Sequence, residues 1–206
     1  MRIYRVLHDT YGPQDWWPAD TPFEVMVGAI LTQNTSWKNV EKSIGILKGK
    51  EVLTAEGISG LHTSELASLI RSSGYFRVKA ERLKAYVRFM FEEFDGKIGR
   101  MKKVPLETMR PKLLSVKGVG PETADSILLY ALGKPVFVVD AYTKRILSRH
   151  GLVSEKAGYR EVQDFFMNHL PREETLFNEF HALLVHLGKW VCQKKPECEE
   201  CPLHGI

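Results

Sequence analysis

The chain has 206 residues, and its content of 44% hydrophobic and 26% charged residues is ordinary for a globular protein with a sizeable core. No stretch is apolar enough to span a membrane, and residues 1–10 lack the apolar run of a secretory signal. These features argue against a membrane partner and favour a cytoplasmic protein.

The formal net charge of +4 is distributed unevenly. Residues 71–117 hold 13 Lys and Arg against 5 Asp and Glu, a net charge of +8, so the remaining residues sum to −4. Charge runs on helices are commonly solvated faces, but a basic middle on a nearly neutral chain indicates a surface that meets a polyanion.

Hydrophobic spacing of helical period dominates the chain, strand signals are few, and Gly and Pro separate the segments. We therefore expect an all-α fold. The predicted helices cover residues 1–10, 23–35, 37–48, 64–73, 78–94, 108–115, 121–132, 141–150, 158–169 and 172–191. The helix over 23–35 is apolar around most of its circumference, which is typical of a central core helix.

The stretch from Leu114 to Asp140 contains a tight Gly-Val-Gly turn between two predicted helices. Gly118 and Gly120 can take backbone angles that other residues avoid, and Pro121 suits the first position of a helix. The free amides of such a turn form a small anion cradle beside Lys117. The sequence therefore predicts a site for one phosphate, and the short turn leaves no room for a nucleotide cofactor.

This turn resembles the helix-hairpin-helix of DNA repair proteins. The spacing from the turn to Val-Val-Asp at 138–140, followed by a helix, resembles the endonuclease III superfamily of DNA glycosylases. Asp140 alone would more commonly be an N-cap. Turn, spacing and aspartate together favour the glycosylase interpretation.

The resemblance extends from about residue 10 to the end of the chain. It implies a two-lobed, all-helical fold. A six-helix barrel with the hairpin would cover 22–132. Residues 1–21 and 133–206 would form a second helical domain with a C-terminal cysteine loop. The resemblance also implies a monomer that associates with double-stranded DNA containing a damaged base.

Asp140 and Glu122 are the candidate catalytic residues. Cleavage of an N-glycosidic bond builds positive charge on the sugar, which a fixed carboxylate can stabilise while it orients water. The resemblance places Asp140 in this role.

Members that also cleave the strand carry a lysine two residues after the second hairpin glycine, where this chain has Glu122. A carboxylate forms no Schiff base, so we expect a glycosylase without AP lyase activity. Alternatively, Glu122 only complements the helix dipole.

Two polar segments resemble the parts of these proteins that enter DNA. Gln33, in Leu-Thr-Gln-Asn-Thr, matches the glutamine that fills the gap left by an extruded base, whereas Asn34 beside it could also simply end the helix. Tyr75 falls where the family has a residue that wedges into the duplex. The predicted DNA-binding residues are Gln33, Asn34, Tyr75, Lys117, Gly118, Gly120 and Thr123.

The tryptophans indicate which class of damaged base the protein excises. Trp16-Trp17-Pro18 and Trp37 are arranged as in the 3-methyladenine DNA glycosylases of the endonuclease III type, where such rings form the base pocket. Alkylated purines carry positive charge, which aromatic faces attract. We therefore predict a pocket of Trp17, Pro18 and Trp37, with Lys189 nearby, although core packing is the commoner fate of tryptophan.

Two further functions stay open. One is an endonuclease III-like glycosylase and AP lyase for oxidised pyrimidines, or a uracil or thymine mismatch glycosylase. The other is a helix-hairpin-helix module that binds DNA without catalysis. Borohydride trapping separates the first from our preferred function, because it captures only a Schiff base.

Three cysteines, Cys192, Cys198 and Cys201, lie close together near the end of the sequence. Such clustering favours a metal centre over a disulfide framework. The spacing resembles the [4Fe–4S] loop of the family, with a first gap one residue shorter, and a fourth cysteine at the family spacing would be residue 207. The fourth ligand lies past residue 206 or comes from elsewhere, or the cluster is absent. Zinc bound by three cysteines and His204 is a lesser alternative.

Overall fold

A computed structural model of the protein describes residues 1–205, which contain α-helices and short helical turns and no β-strand. The all-α prediction is thus confirmed. The α-helices are α1 Arg2–Tyr11, α2 Pro22–Leu31, α3 Trp37–Gly49, α4 Ala55–Gly60, α5 Thr63–Leu69, α6 Phe76–Phe94, α7 Ile98–Lys103, α8 Leu106–Leu114, α9 Pro121–Ser126, α10 Ala141–Arg149, α11 Tyr159–His169 and α12 Glu174–Trp190. Within this described part, none of the helices has the length and apolarity needed to cross a membrane.

The helices fall into two compact units. Residues 19–133 form one, which we call the hairpin unit. Residues 1–18 and 134–205 form the other, which we call the aspartate unit. The predicted domain assignment, a barrel over 22–132 and a second domain from the two ends, stays a prediction.

In the hairpin unit, α2 is the most buried helix, and its residues from Phe23 to Leu31 are all buried. Thr21 caps its start, since the Thr21 hydroxyl accepts a hydrogen bond from the Glu24 amide at 3.1 Å. The helix packs on α6 and on a π-helical turn at Ile127–Ala131. It ends at Leu31, four residues earlier than predicted, because Asn34 adopts a left-handed conformation with φ of 54°.

The aspartate unit is built around aromatic rings. Phe137 stacks on Phe166 with centroids 3.7 Å apart, and Phe177 and Phe180 meet the same ring edge-on. Residues 136–139 are therefore buried, and they lead directly to Asp140 at the start of α10. This packing places Asp140 at a fixed point of the unit.

Candidate active site and nucleic-acid interface

The hairpin turn joins α8 to α9 in the hairpin unit. Buried Val116 and Val119 anchor it, and the Val119 amide donates to the Val116 carbonyl at 3.0 Å. Gly118 has the predicted positive φ, 88°, and a Cβ there would lie 2.4 Å from Cγ of Arg82. Gly120 differs from expectation: its φ is −91° and a Cβ would meet nothing within 4 Å. The special backbone angle is thus confined to Gly118, because Gly120 already has the extended geometry of a helix N-cap.

A partly buried ion pair joins the two hairpin helices. The Arg110 guanidinium donates to Asp125 in a bidentate arrangement, with Nε–Oδ1 and Nη2–Oδ2 distances of 2.7 and 3.0 Å. Asp125 is fully buried. Bidentate pairs of this kind restrict geometry as well as contribute energy, so they hold α8 and α9 in one orientation. The sequence offered no signal for the pair beyond opposite charges on neighbouring helices.

Three predicted DNA-binding residues, Gln33, Gly118 and Thr123, are joined by hydrogen bonds. The Gln33 side-chain amide donates to the Gly118 carbonyl at 3.0 Å and to the Thr123 hydroxyl at 2.9 Å. The Arg82 guanidinium in turn donates to the side-chain oxygen of Gln33. Thr123 is buried, so its hydroxyl serves this cluster. Arg82 was not predicted, although the basic segment 71–117 contains it.

Tyr75 and Asn34 both lie on exposed turns of the hairpin unit. Tyr75 is 71% exposed. Both residues have left-handed backbone conformations, with φ of 46° at Tyr75 and 54° at Asn34.

Lys79, which is 1% exposed, donates from Nζ to the Leu31 carbonyl at 2.8 Å and to the Ser73 carbonyl at 2.6 Å. Burial, with the nearby charge of Arg82, lowers the pKa of Lys79 to about 8. The sequence did not single out Lys79.

The remaining predicted residues of this unit lie at its surface. Lys117, Gly120 and Glu122 are exposed on the hairpin, with Glu122 in the first turn of α9. Trp37 is half-buried at the start of α3, and its indole N–H donates to the Glu41 carboxylate at 2.7 Å. The hairpin thus presents a cation and a carboxylate to solvent at its tip.

In the aspartate unit, Asp140 is an N-cap, since its Oδ1 accepts from the Thr143 amide at 2.7 Å. Its Oδ2 lies 3.8 Å from Nε2 of His181, a side chain that is almost fully buried. Burial lowers the pKa of His181, and the Asp140 charge opposes that shift. The carboxylate is therefore oriented on one oxygen and faces an imidazole on the other. His181 was not predicted, because it lies 41 residues downstream.

The approach to Asp140 is also fixed. The Gln163 side chain donates to the Phe137 carbonyl at 2.7 Å, and the Val139 amide donates to the Tyr159 hydroxyl at 3.4 Å. Both partners lie on α11. These bonds satisfy backbone groups of a buried extended segment, which would otherwise be costly.

The other predicted pocket residues of the aspartate unit are partly accessible. The Trp16 and Trp17 rings are half-buried with centroids 5.3 Å apart, and Pro18 is exposed. Lys189 is exposed at the end of α12, where its ammonium lies 4.7 Å from the centre of the Trp190 ring.

The three cysteine thiols line one cavity of about 240 Å³, together with Arg149, His150 and His204. Nη1 of Arg149 lies 3.2 Å from the Cys192 sulfur. Burial raises the pKa of Cys201, and the other two thiols add to the shift. Within residues 1–205, no group of three or more His, Cys, Asp or Glu side chains has metal-binding geometry. A [4Fe–4S] cluster normally takes four thiolates, so the described residues do not complete its ligand set.

The chain is similar to known proteins over most of its length. Residues 27–172 match the model of the HhH-GPD superfamily of base excision DNA repair proteins. A Methanocaldococcus jannaschii protein assigned as a DNA repair glycosylase is 49% identical over 204 residues, covering 98% of this chain and 92% of that protein. Endonuclease III of Thermotoga maritima is 30% identical over 181 residues, 87% and 79% of the two chains. The crystal structure of H. pylori 3-methyladenine DNA glycosylase, MagIII, bound to 1,N6-ethenoadenine is 30% identical with a TM-score of 0.79, covering 91% of this chain and 96% of that one.

Proposed function

This chain belongs to the HhH-GPD superfamily of base excision DNA repair proteins, and we propose that it is a monofunctional DNA glycosylase that excises alkylated purines, preferably 3-methyladenine. The observation that carries the proposal is the Asp140 carboxylate. One of its oxygens caps α10 and the other faces His181, so its position is set before substrate arrives. Preorganised charge of this kind stabilises a cationic transition state without reorganisation.

In the proposed reaction the bond between sugar C1′ and the base nitrogen breaks, and its electron pair leaves with the base. Positive charge develops on the sugar, where the Asp140 carboxylate stabilises it. Water adds to C1′ and loses a proton to the carboxylate or to solvent. An alkylated purine is already cationic, so it departs as a neutral base and needs little acid catalysis. One fixed carboxylate is then sufficient.

DNA binding is assigned to the hairpin unit. The amides at Gly118 and Gly120, with Lys117, would hold a backbone phosphate, and a Cβ at Gly120 would meet no protein atom within 4 Å, which leaves space for close approach. The damaged nucleotide would be extruded from the stack, with Gln33 and Tyr75 filling the space. The high exposure of Tyr75 suits it to stacking on a base.

The absence of lyase activity is assigned to Glu122. It occupies the position after the hairpin where a Schiff base would need an amine. Lys79 is a poor substitute, since its ammonium is buried and donates to two backbone carbonyls. Lys117 is exposed before the turn and suits phosphate binding.

The substrate is assigned from the aromatic residues Trp17 and Trp37, with Pro18 and Lys189 as further members of the pocket. Aromatic faces attract a cationic base more strongly than a neutral one. Similarity to the H. pylori 3-methyladenine glycosylase supports this choice, while similarity to endonuclease III supports the glycosylase class alone. We further propose that the protein acts as a cytoplasmic monomer.

A [4Fe–4S] cluster remains our expectation for the cysteine segment. Cys192, Cys198 and Cys201 would supply three of its ligands. Its role would be structural: it would hold the basic segment around Lys194 and Lys195 in a conformation that meets the DNA backbone.

The first experiment measures free bases released from methylated duplex DNA by chromatography, for the wild type and Asp140→Asn. We expect 3-methyladenine from the wild type and almost none from the variant, with duplex affinity retained. No alkylated base from either protein would refute the substrate, and release by the variant at the wild-type rate would refute the role of Asp140.

A second experiment addresses lyase activity. Borohydride is expected to trap no adduct of the wild type or of Glu122→Gln. Glu122→Lys restores an amine at the required position, so we expect it to form a trapped adduct on DNA with an abasic site. Trapping of the wild-type protein would refute a monofunctional mechanism.

A further inference from the structure

Lys79 connects the two turns of the hairpin unit that are assigned to enter DNA. Its ammonium donates to the carbonyl of Leu31, the last residue of α2, and to that of Ser73, just before the next turn. Gln33 follows the first carbonyl by two residues, and Tyr75 follows the second by the same interval. The ammonium is thus shared between the starts of both turns.

Both turns hold backbone conformations that need external support. Asn34 and Tyr75 have φ of 54° and 46°, and Gly74 adds a third positive φ of 66°. Left-handed residues other than glycine persist only where surrounding contacts impose the conformation. The Leu31 carbonyl also lies at the negative end of the α2 dipole, which favours a cation.

A buried ammonium is expensive unless its protons are bonded, and Lys79 is 1% exposed. Its two bonds to backbone carbonyls at this point indicate a role that an apolar side chain would not serve. Arg82 lies one turn further along α6, on the same helix face, and donates to Gln33 itself. One face of α6 thus positions the Gln33 turn at both its backbone and its side chain.

We propose that Lys79 is a positioning residue that holds the Gln33 turn and the Tyr75 turn at one separation, so that both enter the duplex together. This inference rests on the proposed function, because the insertion roles of Gln33 and Tyr75 belong to it. It goes beyond that function because it gives a buried cation a role: Lys79 fixes the distance between the two turns, so that Gln33 and Tyr75 can enter the duplex at the same extruded nucleotide.

The chain provides a matched control on the same helix. Lys84 also donates from Nζ to backbone carbonyls, those of Ile58, Ser59 and Leu61, at 3.2, 2.7 and 2.8 Å. It therefore bonds in the same way as Lys79 at a site that touches neither turn. Lys79→Met and Lys84→Met each remove an ammonium that is bonded to backbone carbonyls, although Lys84 is more exposed, and only the first should affect the DNA-entering turns.

The first measurement is hydrogen exchange of the free protein, which needs no DNA and no activity. Lys79→Met is expected to speed amide exchange by about tenfold or more over both 32–36 and 73–77, since local opening costs less when a charged hydrogen bond is lost. Lys84→Met should leave both segments unchanged. Equal effects of the two variants, or loosening of neither turn, would overturn the proposal.

The second measurement uses a duplex with 2-aminopurine beside an abasic-site analogue, whose fluorescence reports unstacking. Lys79→Met should reduce the fluorescence increase on binding while the salt dependence of affinity stays at the wild-type slope, because phosphate contacts persist. Unchanged fluorescence would overturn the proposal. If the wild type releases no base but these results hold, the positioning role stands and the glycosylase assignment fails.

A second variant keeps the proposal testable if Lys79→Met fails to fold. Lys79→Gln keeps a neutral donor on a side chain one atom shorter, so it should hold the two carbonyls less strongly than the ammonium does. We expect exchange protection to return only in part. Full protection of both turns in Lys79→Gln would show that the ammonium is dispensable and would overturn the proposal.

Discussion

The hairpin unit and the aspartate unit hold their predicted site residues in different ways. In the hairpin unit, Gln33 bonds to Gly118 and Thr123, residues 85 and 90 positions away along the chain. In the aspartate unit, the contacts described for Asp140 are its own helix cap and His181, and Lys189 lies over its chain neighbour Trp190. Under the proposed function, DNA binding depends on a network of contacts between distant residues, whereas the chemistry depends on one carboxylate that is capped locally and faces His181. A single substitution should therefore abolish the chemistry, and should only weaken DNA binding.

The largest expected effect separates the two roles of Asp140. Asn caps helices about as well as Asp, so Asp140→Asn should keep the unfolding temperature while lowering single-turnover excision by about 10²–10³. Asp140→Ala should lose the same activity and also about 1 kcal/mol of stability. Thermal unfolding and excision assays measure both. A large loss of stability in Asp140→Asn would mean that the charge mainly supports the fold.

The two hairpin glycines test how rigid the network is. Gly118→Ala is expected to cost about 1–3 kcal/mol in unfolding free energy, since φ is 88° and the new Cβ would collide with Arg82. Gly120→Ala should leave the fold unchanged, because its φ is ordinary and its Cβ meets no protein atom. Urea unfolding provides the comparison, and DNA affinity should fall for both variants if phosphate approaches Gly120.

The titration of Lys79 gives a pH signature specific to the hairpin unit. Its pKa is about 8 in the folded protein, below the value near 10.4 of an unfolded chain, so the unfolded state binds more protons between these values. Stability contributed by this group should therefore rise with pH in that window, by up to about 1.4 kcal/mol per pH unit. Urea midpoints at several pH values should show a flatter slope for Lys79→Met than for Lys84→Met, and identical slopes would contradict the assignment.

The smallest expected effect on chemistry comes from the cysteine segment. Iron and sulfide analysis of the purified protein is expected to find a cluster, and Cys198→Ala should lose it. Because Asp140 is held by its own helix, excision at saturating protein should stay near wild type, while DNA affinity falls on the order of tenfold through the disordered basic segment. Excision that falls with affinity unchanged would contradict a purely structural role.

The hairpin, Asp140 and the long helices were predictable from sequence because their signals are local. Gly-Val-Gly before Pro121 is turn chemistry, and α6 and α12 are long enough to show helical periodicity. The helices α4 and α7 were missed, since six residues each give under two turns of pattern. The early end of α2 was missed because residues 32–35 form a polar run that is compatible with a last helical turn, whereas Asn34 takes a left-handed conformation in the structure.

The sequence by itself determined the helical class, the hairpin turn with the positive φ at Gly118, and an aspartate placed to start a helix, whereas the ordinary φ of Gly120 was not predicted. Each follows from residues adjacent in the chain, whose conformational preferences act before any packing. Only the tertiary structure decided that Arg82 and Thr123 meet Gln33, that His181 faces Asp140, and that Lys79 serves two turns. Those side chains meet because buried polar groups must find partners, and which partners they reach depends on how the helices pack.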